Sequence, residues 1–111
     1  MDDARDPLGA SGLPGEDLVA AGLRDLAAGV ASEEAFLVSI GAPRLRRLGF
    51  EPARLLGEPE RGLYRLLALT HGNGAHSAYN ALVRRLVSFE HALEFRQGRA
   101  RRIAAAGAGG A

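Results

Sequence analysis

The C-terminal half of the chain carries a regular apolar pattern. Five apolar residues recur at steps of three, four, three and four positions: Tyr79, Leu82, Leu86, Phe89 and Leu93. This spacing places them on one face of a helix, where they form an apolar seam. Four charged residues fall off the seam: Arg84, Arg85, Glu90 and Glu94. The pattern predicts a long amphipathic helix from about residue 76 to about residue 100, which acts as the spine of a helical domain.

Shorter helical patterns fill the N-terminal half. Glu16 and Asp17 stand where the dipole of a helix favours acidic residues, and Gly29 is placed to end this first helix. Ser32 is a suitable N-cap for a second helix, which we expect to end at Gly41. The two helices are therefore expected to be short and closely connected.

Proline and glycine divide the middle of the chain. Pro43 suits the first position of a short third helix that Gly49 ends. Residues 50–59 contain two prolines and a glycine, which indicates a connector with one helical turn around residues 53–56. A helical pattern then runs from Pro59 until residues 71–74 interrupt it before the long helix.

These segments predict an all-α fold, because no window alternates apolar and polar residues in the way a strand requires. We expect a small four- to five-helix domain built around one long C-terminal amphipathic helix. Residues 1–14 are interpreted as a flexible leader, 15–100 as a single helical domain, and 101–111 as a disordered tail of Arg, Ala and Gly.

Composition narrows the class of protein. The chain has no cysteine, which excludes disulfides and thiolate metal sites. No apolar run approaches the roughly 18 residues that span a bilayer, and the acidic start does not resemble a signal peptide. We therefore expect a cytoplasmic protein without membrane contact, cofactor or bound metal.

The net charge of +1 hides a strong polarity along the arginine-rich chain. Residues 1–40 hold eight acids and two arginines, a charge of −6, whereas residues 41–111 hold twelve arginines and five glutamates, a charge of +7. The acidic part can pack on the basic part within one molecule or across a dimer, or the basic part can face an anionic partner. The pattern does not choose between these alternatives.

A polar stripe lies opposite the apolar seam of the long helix. The stripe consists of His76, Asn80, Arg84, Ser88 and His91. At 100° per residue from His76, these residues fall between about 0° and 120°, whereas the seam falls between about 220° and 340°. Val87 and Phe95 lie in the same polar arc, and a helix with apolar groups on both faces is usually covered on both. Either the acidic helices cover the stripe and pair with Arg84 and His91, or a partner does. The candidate partner-binding residues are Tyr79, Asn80, Arg84, Val87, Ser88, His91 and Phe95.

Arg85 and His91, with five residues between them, resemble the Arg-x(4–6)-His pattern of HEPN-type ribonucleases, which are small all-helical proteins. Arg84 offers an alternative match for the arginine. The resemblance implies an arginine that binds phosphate, a histidine in acid–base chemistry, and two such sites facing each other across a dimer.

DNA binding through a helix-turn-helix element is a separate alternative. Residues 32–50 are read as helix, Gly41 and helix, although Leu37 is bulky where such a turn needs a small residue. A nucleic-acid partner would use the arginines of this element, of the long helix and of the tail. The candidates are Arg44, Arg46, Arg47, Arg84 and Arg85.

A shared metal site is not expected, since His76 and His91 are roughly 22 Å apart along the helix. The favoured function is a non-enzymatic interaction or regulatory protein that forms a homodimer, or binds another protein, through the long helix. Nucleic-acid binding through arginine-rich surfaces, HEPN-like RNA binding or cleavage included, is the alternative. An enzyme ranks third, because no paired acid–base residues have a recognised spacing.

Overall fold

A computed structural model describes residues 8–109, and it is all-helical with no strand in that range. Residues 1–7 of the expected leader and 110–111 of the expected tail lie outside the described residues. The predictions of an all-α fold and of a long C-terminal helix are confirmed. The elements are α1 (Glu16–Ala28), α2 (Glu33–Arg47), α3 (Pro59–His71), a 3₁₀ turn (Gly72–Gly74) and α4 (Ala75–Gly109).

The turn between α1 and α2 is held by the caps that the sequence predicts. Gly29 has a φ of 75°, a left-handed conformation that glycine adopts without strain, and its N–H bonds to the last carbonyl groups of α1. The backbone N–H of Ala35 donates to Ser32 Oγ at 3.0 Å, and this hydroxyl donates in turn to Asp25 Oδ2 at 2.6 Å. The cap of α2 is thereby fixed to the end of α1.

Helix α2 is continuous through Gly41 and Pro43. The predicted end at Gly41 and the separate third helix are therefore wrong, and so is the helix-turn-helix element. Pro43 and Gly41 disfavour a helix by about 3 and about 1 kcal/mol. Burial of Leu45 and Leu48, at about 1.5–3 kcal/mol each, offsets this cost. Pro43 itself lies on the exposed side of the helix.

Helix α2 occupies the centre of the fold and contacts α1, α3 and α4. Each neighbour meets it at a glycine. A Cβ at Gly22 of α1 would overlap Val38 Cγ2 and the carbonyl oxygen of Glu34, and a Cβ at Gly62 of α3 would overlap the ring of Phe36. Where α2 crosses α4, the glycine belongs to α2. A Cβ at Gly41 would lie 2.9 Å from Leu86 Cδ2 of α4. At Gly22 the missing side chain lets the backbone of α1 approach that of α2, whereas at Gly62 and Gly41 it makes room for side chains of the neighbouring helix.

The apolar seam of α4 packs into the core. Leu86, Phe89 and Leu93 are buried, whereas Tyr79 and Leu82 lie partly buried at its margin. The ring of Phe89 packs 6.0 Å from that of Phe50, which follows α2. The predicted seam therefore faces the other helices.

The connector after α2 contains no helical turn at residues 53–56, contrary to the prediction. Its backbone turns instead through Arg54 and Glu58, whose φ angles are 49° and 45°. The N–H of Leu56 donates to Ser39 Oγ at 3.1 Å, which ties the connector to α2. Pro59 then begins α3 at the predicted position.

Residues 8–15 lie along the middle of α4, from Gln97 back to Arg85. One Nη of Arg96 donates to the carbonyl oxygens of Gly9 at 2.8 Å and Ser11 at 2.9 Å. Gln97 Nε2 donates to the carbonyl oxygens of Leu8 at 3.1 Å and Leu48 at 2.9 Å. Gln97 therefore joins this segment, the end of α2 and α4 at one point.

Helix α4 extends beyond the packed helices. Its 35 residues span about 52 Å at 1.5 Å per residue, and the described molecule measures 59 × 27 × 26 Å. The helix continues to Gly109, past the predicted end near residue 100, through an alanine-rich run of high helix propensity. Residues 99–107 are exposed. No described helix is long and apolar enough to cross a membrane.

The close approach of α1 to α2 predicts that Gly22→Ala destabilises the fold. Alanine raises helix propensity by up to about 1 kcal/mol, but its methyl group would push against the backbone of α2, an overpacking cost of about 1–3 kcal/mol or more. We expect a lower midpoint in urea unfolding. Gly107→Ala is the control, since a Cβ there meets no atom within 4 Å. Equal midpoints for Gly22→Ala and the wild type would contradict the packing described.

Candidate interaction surface

Five of the predicted partner-binding residues form an exposed row on α4, which we call the outer stripe: Arg84, Val87, Ser88, His91 and Phe95. Val87 is 37% exposed and Phe95 is 66% exposed. Both point away from the seam, as the helical angles require. The stripe therefore presents two large apolar side chains among polar ones.

The other two predicted residues, Tyr79 and Asn80, make contacts within the molecule. The ring of Tyr79 lies 6.1 Å from that of Tyr64 on α3. Burial raises the pKa of the Tyr79 hydroxyl, and the negative charge of Glu60 raises it further. The side-chain nitrogen of Asn80 lies 3.2 Å from His76 Nε2, one turn before it. Asn80 therefore lies one turn before Arg84 on the side of the outer stripe, whereas Tyr79 packs with the seam.

The acidic helices do not cover the outer stripe. Arg84 and His91 are exposed, and neither forms an ion pair with a described acid, so the interpretation that pairs them with the first two helices is wrong. The described ion pair between the acidic and basic parts is instead Arg85 Nη2 to Asp17 Oδ1, at 3.2 Å. This pair is exposed and contributes little to stability.

The arginines predicted to bind nucleic acid do not share one surface. Arg44 pairs with Glu94, and Arg85 pairs with Asp17. Arg46 and Arg47 are exposed in the last turn of α2, where positive charge complements the helix dipole. Arg84 is about 20 Å along α4 from Gln97, the residue beside the end of α2.

Glu90 was predicted to lie off the seam, but its carboxyl group is buried. It is 4% exposed and lies against α2, with Oε2 3.0 Å from the position that a Cβ of Gly41 would take. Burial raises its pKa, whereas the charges of Arg44, His91 and Arg47 lower it and that of Glu94 raises it; the net shift is upward. Its helical angle of about 320° lies within the seam's arc and could have revealed its position.

Of the residues that carry the HEPN resemblance, Arg84 shares the outer stripe with His91, whereas Arg85 lies on another face of α4. Arg85 is bound to Asp17, and it lies about 120° around α4 from the exposed His91. Among the described residues, no group of three His, Asp or Glu side chains could hold a metal ion. An open depression beside Arg84 and Arg85, lined also by Pro14 and Ser88, lacks a carboxylate or a histidine.

Comparisons with known proteins add no relative: no family model matches the chain, and neither curated proteins nor solved structures gave a match.

The buried carboxylate of Glu90 predicts a pH-dependent effect of Glu90→Gln. A raised pKa in the folded state means that the charged form opposes folding. This penalty is absent well below the ordinary pKa of 4.5 and is complete above the folded-state pKa. We therefore expect Glu90→Gln to melt at a higher temperature than the wild type at pH 8, and at nearly the same temperature near pH 4.

The control for this experiment is Glu51→Gln, which removes the same charge from an exposed position. Its melting temperature should follow that of the wild type at both pH values. A Glu90→Gln protein that melts below the wild type at pH 8 would show that the charged carboxylate stabilises the crossing of α2 and α4.

Proposed function

We propose that this protein is a non-enzymatic interaction protein, a single four-helix domain that forms a homodimer through the outer stripe of α4. The exposure of Val87 and Phe95 on a helix whose opposite face already fills the core carries this proposal. The absence of cysteine fits a reducing compartment, and a cytoplasmic location belongs to the same proposal.

The apolar residues of the stripe favour burial against a partner. Phe95 is 66% exposed, and full burial of such a side chain contributes about 1.5–3 kcal/mol. Val87 lies two helical turns before Phe95, about 12 Å along the axis. A second helix that crosses α4 between them would cover both side chains, with His91 at the centre.

An antiparallel pair of α4 helices, related by a two-fold axis at His91, gives a complementary register. In this arrangement Val87 lies opposite the partner's Phe95, so that a small apolar side chain meets a large one. Arg84 lies opposite the partner's Gly98, where it would share the space with the partner's Arg101 and Arg102, whose Nη atoms lie within 4 Å of the position that a Cβ of Gly98 would take. A two-fold interface repeats each contact, so both apolar pairs form together.

The charges of the stripe allow this register. Ser88 lies opposite the partner's Glu94, so a hydroxyl meets a carboxylate rather than a second negative charge. Asn80 lies opposite the partner's Arg102. The pairs between residues 84 and 98 span about 21 Å, and no glutamate meets a glutamate among them, whereas Arg84 would approach the partner's Arg101 and Arg102. The contact is mainly apolar, and high salt should therefore leave it intact.

Light scattering of the purified chain at low and high salt tests the proposal. We expect a dimer at both salt concentrations and a monomer for Phe95→Asp, because the substitution places two buried carboxylates in the interface. Leu69→Asp is the matched control: Leu69 is 79% exposed on α3, outside the stripe, and its replacement should leave the dimer unchanged. A wild-type monomer at concentrations of about 100 μM, well above micromolar affinity, would contradict the proposal.

A further inference from the structure

The end of α2 meets α4 at one pole of the packed body. Gln97 Nε2 donates to the carbonyl oxygen of Leu48, so the last turn of α2 lies beside the part of α4 where the helix leaves the packed body. Arginines lie on both sides of this junction. We call the following set the basic pole: Arg46 and Arg47 of α2, and Arg99, Arg101 and Arg102 of α4.

No arginine of the basic pole forms an ion pair with a described residue, although the charge of Arg47 acts on the buried carboxyl group of Glu90. All five guanidinium groups are exposed, and none belongs to an ion pair within residues 8–107. The two glutamates of α4 nearest to it are otherwise engaged: Glu94 pairs with Arg44, and Glu90 is buried. Arg96 is held by the carbonyl oxygens of Gly9 and Ser11, and is therefore not counted in the set.

The arginines of α4 leave the helix at different angles, although Arg101 Nη2 and Arg102 Nη1 both lie within 4 Å of the position that a Cβ of Gly98 would take. Arg99, Arg101 and Arg102 fall at about 140°, 340° and 80° around the helix axis. Arg101 points to the same side of α4 as Glu90, which faces α2. A stiff, flat partner could reach only part of this set, whereas a flexible chain of anions could follow it from α2 around the end of α4.

We propose that the basic pole binds the phosphate backbone of a single-stranded nucleic acid. Guanidinium groups form paired hydrogen bonds with phosphate oxygens, and a single strand is flexible enough to contact arginines on two sides of a helix. The site differs from the homodimer surface, since it uses the end of α4 and the last turn of α2. It keeps Arg46, Arg47 and the tail arginines of the set predicted from the sequence, and it leaves out Arg44 and Arg85 because both already have acidic partners.

Fluorescence anisotropy with a labelled oligonucleotide of about 20 nucleotides tests this proposal on the full chain, which keeps the acidic residues of positions 1–7. The variant Arg99→Gln/Arg101→Gln/Arg102→Gln removes the three pole arginines of α4. The control Arg54→Gln/Arg61→Gln/Arg65→Gln removes three exposed arginines from α3 and the connector before it, so both variants have the same net charge. Circular dichroism establishes that both keep their helix content.

We expect the pole variant to bind at least about tenfold more weakly near 50 mM salt, and the control to stay within about twofold of the wild type. The slope of log K against log salt should fall by about two for the pole variant, because each lost phosphate contact on a single strand accounts for about 0.7. Equal losses in both variants, or a wild type that does not bind, would overturn the proposal. Binding of a poly-glutamate peptide in place of the oligonucleotide would likewise overturn it, in favour of an acidic protein partner.

Light scattering of the same variants separates the two proposals. The pole variant should remain a dimer, and Phe95→Asp should still bind the oligonucleotide. Loss of both properties in one variant would show that the surfaces are not independent.

Discussion

The fold depends on how closely other helices can approach α2. Three helices contact it, and at each crossing one backbone lacks a side chain: at Gly22 of α1, at Gly62 of α3 and at Gly41 of α2 itself. Close approach is what allows a short helix to be covered on several sides and to bury Val38, Ala42 and Leu45 completely. A chain of this size has little apolar surface to bury, so tight packing around one central helix makes efficient use of it.

The same packing determines what α4 leaves free. Its seam faces α2 and α3, and Glu90 is buried against Gly41, so the polar and apolar residues on the opposite side have no described cover. The segment 8–15 covers part of the helix near Arg96 but leaves the outer stripe exposed. Our proposals assign the two uncovered parts to different partners: a second copy for the apolar centre, and a polyanion for the arginine-rich end.

Local signals in the sequence predicted several boundaries correctly. Gly29, Ser32 and Pro59 stand at helix ends in the structure, because capping depends on the nearest few residues. Gly41 and Pro43 predicted a helix end that the structure lacks. Burial of their neighbours in α2, such as Leu45, outweighs the local preference of both residues. Glu90 lay within the angular range of the seam and could have been recognised, but its charge argued against burial.

The central role of α2 could not be predicted, since it depends on contacts between residues far apart in sequence, such as Gly62 with Phe36. The periodicity of α4 likewise gave the direction of Val87 and Phe95 but not whether other helices cover them. Their exposure depends on the packing of α1, which lies mainly on α2 and is joined to α4 by the ion pair of Asp17 with Arg85.

The proposed antiparallel dimer is tested most directly by cysteine cross-linking, for which the chain has no competing cysteine. His91→Cys places a thiol on the proposed two-fold axis, so it should form a disulfide-linked dimer under mild oxidation. Ser77→Cys lies on the same exposed side of α4, but its two copies would be about 42 Å apart in an antiparallel pair and should not cross-link. Efficient cross-linking of Ser77→Cys, or none with His91→Cys, would contradict the account.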